Sequence, residues 1–100
     1  MQEQTTFWHL MLGDAMVASI QCDSAEFPWT YGKLVESPEF EKFRVFFSDE
    51  DSWPETLEFE ELCNEIHARG KFSLLNTATE VSYRSFRLNH DGNVIWFRYS

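Results

Sequence analysis

Cysteine, glycine, proline and basic side chains are all scarce in this chain of 100 residues, and each scarcity removes a class of reading. Two cysteines, Cys22 and Cys63, are too few for a disulfide framework, and without CxxC spacing they do not form half of a zinc motif. One falls on a predicted strand and one on a predicted helix, so both are expected as reduced core thiols. Four glycines, none in a GxGxxG or GxxxxGK[ST] run, argue against the usual phosphate-cradling loops. No apolar run approaches the ~18 residues of a membrane-spanning helix. The start, Met1-Gln2-Glu3-Gln4-Thr5-Thr6, lacks the basic and apolar regions of a signal peptide, which makes the cytoplasm the expected location. Eight Lys and Arg face seventeen Asp and Glu, and the formal charge of −9 repels nucleic-acid phosphates and anionic lipid surfaces.

Aromatic residues are abundant instead. They make up 17% of the chain, ten of them Phe, which is enough for an aromatic core in one domain over residues 1–100 and argues against disorder. The acids are unevenly spread: between Glu36 and Glu65 eleven acids face only Lys42 and Arg44, a stretch that holds the entire net charge. From Lys71 onward the balance turns positive. An acidic helical half is therefore joined to a neutral-to-basic sheet half.

Along the chain, Phe7 to Leu12 and Met16 to Cys22 flank Gly13-Asp14, a plausible type II′ hairpin turn with Gly first. A two-residue turn there would oppose Leu12 to Ala15, Met11 to Met16, Leu10 to Val17, His9 to Ala18, Trp8 to Ser19 and Phe7 to Ile20. Phe27-Pro28-Trp29 marks a bend. Trp29 to Val35 gives a third strand, with Gly32 at a bulge or a close backbone approach. Ser37-Pro38-Glu39, followed by Phe40, Phe43, Phe46 and Phe47, predicts a helix from about Pro38 to Phe47. Ser52-Trp53-Pro54-Glu55 reads as a capping box for a second helix that places Phe59, Leu62, Cys63 and Ile66 on one stripe and ends at Gly70. Phe72 to Leu75 is a strand, and Asn76 to Thr79 a turn. The order βββ-αα-βββ predicts an α+β fold, an antiparallel sheet of five to six strands with two adjacent helices packed on one face.

The last stretch, Val81 to Tyr99, holds two apolar-rich runs joined by His90-Asp91-Gly92-Asn93, a strong hairpin signal. With Asp91 and Gly92 at the tip, one face pairs Leu88 with Ile95 and Phe86 with Phe97. The other pairs Asn89 with Val94, Arg87 with Trp96, and Ser85 with Arg98. The first face is expected in the core and the second in solvent, with a guanidinium lying on an indole.

Cys22-Asp23, Phe27-Pro28-Trp29 with Tyr31-Gly32, Ser37-Pro38 with Phe40 and Phe43-Arg44, and His90-Asp91-Gly92 with Trp96-Phe97-Arg98-Tyr99-Ser100 together resemble a family of small bacterial proteins. Members of that family run a few acidic residues past the final Ser. The resemblance covers most of the chain and implies a stand-alone cytoplasmic bacterial domain. It brings no known activity, so no catalytic residue is carried over.

Candidate chemistry is sparse. His9, His67 and His90 show no HxH, HxxxH or HExxH spacing, and neither a metal nor another cofactor is expected. Nothing local activates Cys22 as a nucleophile. Glu58, Glu61 and Glu65 share a helix face, where without a groove they read as solvated charge. The better signal is the sheet face opposite the helices, where Arg87, Trp96 and Arg98 are joined by Trp8, Leu10 and Val17, the residue types favoured at interface centres. The expected function is a non-enzymatic binding or regulatory module whose partner is another protein, an immunity-like inhibitor of a basic partner being one version. Homodimerisation through that face is left open. The alternative is a small enzyme or small-molecule binder with a pocket near Trp29, Tyr31 and His90.

Overall fold

The computed structural model describes residues 5–100, so the reading of the first four residues lies outside the described part. Seven strands, β1 (Thr6–Leu12), β2 (Ala15–Glu26), β3 (Trp29–Glu36), β4 (Phe72–Asn76), β5 (Val81–Tyr83), β6 (Phe86–Asp91) and β7 (Val94–Tyr99), form one antiparallel sheet in the order β5-β4-β1-β2-β3-β7-β6. Between β3 and β4 lie α1 (Phe40–Phe43), which tightens into a 3₁₀ turn over Arg44–Phe47, and α2 (Leu57–Ala68). The mixed class and the antiparallel sheet agree with the sequence; the strand count does not. The single extended run expected from Val81 onward is broken at Arg84-Ser85 into β5 and β6, which lie on opposite edges of the sheet.

That break also reveals the shape. Three peptide steps from Tyr83 to Phe86 span at most roughly 11 Å, so the two edges must lie near each other. The Tyr83 ring on β5 stands 4.4 Å, centroid to centroid, from the Tyr99 ring on β7. The sheet is curled into a half-barrel whose inner face is the core. Leu10, Leu12, Ile20, Leu74, Ile95 and Phe97 are fully buried there.

The helical segment plugs the curl. Phe40 and Phe43 are fully buried, and Phe43 meets Phe72 of β4 edge-on at 5.4 Å. Ser37 and Pro38 do not cap this helix; the residue before it, Glu39, makes no side-chain cap, and its N–H donates instead to the Val17 carbonyl at 3.3 Å. Val17 is free to accept because β2 bulges there. Met11–Met16 and Leu12–Ala15 pair as expected, after which Leu10 meets Ala18, His9 meets Ser19, Trp8 meets Ile20 and Phe7 meets Gln21.

The cap of α2 also lies further on than expected. Ser52 and Trp53 close a short 3₁₀ turn onto Asp49 and Glu50, and Thr56 caps the helix by accepting from the Phe59 N–H at 3.2 Å. Ile66 is buried and Leu62 packs against the core, whereas the Phe59 ring lies tilted against Trp53 at 5.2 Å. The acidic stretch is tied together by Arg69, which donates to Glu39 and Glu65, both at 2.8 Å, while Lys42 reaches Glu65 at 2.7 Å.

Candidate functional site

The C-terminal hairpin sets the geometry of the site. Its turn residues are Gly92 and Asn93, not Asp91 and Gly92, because only Gly92 takes positive φ (+60°), the pattern of a type II′ turn with Gly first. The observed pairs are Phe86–Tyr99, Arg87–Arg98, Leu88–Phe97, Asn89–Trp96, His90–Ile95 and Asp91–Val94. Every expected partner moves by two places. A shift of two preserves the side-chain alternation, so Leu88, Ile95 and Phe97 are buried, while Arg87 and Arg98 are exposed and Trp96 is half-buried on the outer face.

The shift changes which groups meet. Arg87 stands directly across from Arg98, and Arg98 lies over the ring of Trp29 at 5.4 Å from its centroid. A guanidinium does stack on an indole, but the pair is Arg98–Trp29 rather than Arg87–Trp96. Across β6, β7 and β3 the outer face therefore carries the row Arg87, Arg98, Trp29, followed by the row Asn89, Trp96, Tyr31.

Like charges directly opposed on a ladder are destabilising. Among the described residues no carboxylate lies within 4 Å of either guanidinium, whereas Arg69 takes two carboxylates and Arg44 pairs with Glu41. Beside the pair the β2–β3 tip projects outward, with Phe27 fully exposed. A groove of about 660 Å³ runs between that tip and the end of β7, lined by Phe27, Trp29, Arg87, Arg98 and Tyr99.

Trp8 does not belong to this surface. It is 3% exposed and sits on the inner face, edge-on to Phe97 at 5.0 Å and 4.9 Å from Tyr99. Leu10 and Val17, also expected on the outer face, are fully buried. The pocket expected from Trp29, Tyr31 and His90 is likewise divided. His90 points inward, edge-on to Phe40 at 5.7 Å, with Nε2 3.0 Å from the Arg44 carbonyl and Nδ1 3.2 Å from the Arg44 guanidinium. A neutral imidazole protonated at Nε2 satisfies both contacts.

Cys22 is buried on β2, and burial together with neighbouring Asp23 pushes its thiol up to about 12. At neutral pH it is a thiol, not a nucleophilic thiolate. Glu58 and Glu61 are exposed, and Glu65 is engaged by Lys42 and Arg69, so the three do not form an acid/base group.

Phe27 was missed as a site residue, and Trp29 was expected only in the alternative pocket with Tyr31 and His90, because Phe27-Pro28-Trp29 signals only a bend. Their position beside Arg98 depends on β3 pairing with β7, a long-range contact invisible in either segment. Comparison with protein-family models, curated proteins and solved structures finds no match to this chain, so the resemblance carried by the short motifs has no counterpart there.

Proposed function

We propose that the protein is a non-enzymatic binding module that recognises an acidic surface of another protein through the outer face of β3, β7 and β6. The observation that supports this reading is the Arg87–Arg98 opposition. Two arginines stand directly across the ladder from each other, and among the described residues no carboxylate pairs with either, in a chain that has seventeen acids. An anionic partner would relieve their repulsion with charge-assisted hydrogen bonds. Trp29 and Trp96 beside them supply the flat aromatic area that interface centres favour.

The test is an Arg87→Ala, Trp96→Ala, Arg98→Ala triple variant. Replacing the exposed Arg87 and Arg98 should change stability by about half a kcal/mol or less, and half-buried Trp96 lies outside the core cluster, so the variant should keep its circular dichroism spectrum. It should lose the partner that the wild type retrieves from native lysate, and the wild-type association rate should fall with salt. A folded variant that keeps its partner would move the contact to the acidic helices, and an unfolded one would show that these residues hold the sheet together.

A further inference from the structure

Among the described residues the half-barrel is not closed by hydrogen bonds: β5 and β6 are the two edges of the sheet and pair there with β4 and β7 alone. In the hairpin, Ser100 donates to the Ser85 carbonyl, so residues 85, 87, 89 and 91 exchange bonds with β7. The backbone groups of Phe86, Leu88 and His90 then point away from β7, toward the open edge of the sheet. Aromatic side chains fill part of the space beside that edge. Phe46 stacks on Trp53 at 5.5 Å, and Phe47 lies 4.9 Å from Phe72. What remains is a groove of about 810 Å³, within the ~300–1,000 Å³ typical of small-molecule sites.

Its lining is chemically two-sided. Phe46, Phe47, Trp53 and Phe72 give an apolar floor, while Lys71, Arg84 and Arg87 stand on the rim. Among the described residues none of these three cations is in an ion pair, although the molecule as a whole is strongly acidic. Asp49 and Glu50 also border the groove, which confines a negative group to the strand side.

We infer that this groove binds a small amphipathic anion, a molecule with an apolar body laid on the aromatic floor and one carboxylate-type head held by Lys71 and Arg84 beside the unpaired β6 edge. A neutral body would leave the rim cations unmatched, and a cation would be repelled by them. The groove borders the proposed partner surface along β6 and shares Arg87, Asn89 and Trp96 with it, whereas Lys71 and Arg84 belong to the groove alone.

The probes are decanoate, decanol and decyltrimethylammonium, each below its micellar concentration, titrated into the ¹⁵N-labelled full chain. Decanoate should shift the amides of Lys71, Phe86, Leu88 and His90 and alter tryptophan fluorescence. Decanol should bind about tenfold more weakly, and the ammonium should not bind. A Lys71→Gln, Arg84→Gln variant should weaken decanoate by about tenfold, leave decanol unchanged and keep the protein partner. Three results would each overturn the inference: no decanoate binding at millimolar concentration, equal affinity for decanol, or shifts confined to Trp29 and Arg98. Since the double variant leaves Trp29, Arg87, Trp96 and Arg98 intact, its failure and the failure of the partner surface are separate outcomes.

Discussion

At the scale of single residues, the chain shows how alternation can be read correctly while pairing is not. Arg87, Trp96 and Arg98 were legible as one face because a slip of two leaves the alternation intact. Trp8 was not legible, because both faces of β1 carry large apolar groups: Phe7 and Met11 outside, Trp8, Leu10 and Leu12 inside. Only the curl, which brings Tyr83 and Tyr99 over Trp8, makes its face the inner one. Gly32 was legible as a point of close approach. A Cβ there would stand 2.6 Å from the Gln21 carbonyl oxygen and 2.8 Å from Cys22 Sγ, and the backbone oxygen cannot yield. Gly32→Ala is therefore expected to cost about 1–3 kcal/mol, as overpacking does. A loss under half a kcal/mol in urea titration would mean that β2 and β3 are further apart than described.

At the scale of elements, both helices were found and both starts were misplaced, for reasons outside each segment. The first is set by Glu39 docking its amide on the Val17 bulge, which no local pattern announces. The second begins after Ser52 and Trp53 have already been used by a 3₁₀ turn, leaving Thr56 as the cap. The two assignments differ in a measurable way. Thr56→Ala should lower stability by about 1 kcal/mol, and Ser52→Ala should change it by less than half that. The reverse ranking of urea midpoints would restore the earlier cap. The division of Val81 to Asp91 between two edges was illegible because the sequence there reads as one strand-like run, and the bend at Arg84-Ser85 follows from long-range pairing.

At the scale of the whole molecule, which extends 51 × 25 × 24 Å, the negative charge is concentrated in the segment from Glu36 to Glu65. The acidic helices keep part of their charge by pairing. Hydrogen bonds from Arg69 to Glu39, and from Lys42 and then Arg69 to Glu65, hold both carboxyls below their ordinary value of 4.5. A depressed carboxylate contributes stability that is present above its unfolded pKa and lost as pH falls through its folded one. The melting temperature should therefore hold between pH 7 and about 5.5 and fall below about 4.5, and Glu39→Gln should blunt the acid loss. A clear fall already above pH 5.5 would require ion pairs other than these. On the outer sheet face, Arg87 and Arg98 are opposed for recognition and not for stability. Arg87→Glu tests it most directly, because it keeps Arg98 on Trp29 while turning a like-charge pair into an opposite one. Its urea midpoint should rise by the equivalent of about 0.2–1 kcal/mol while binding of the partner is lost. A variant that is less stable than the wild type, or one that still binds, would contradict the account.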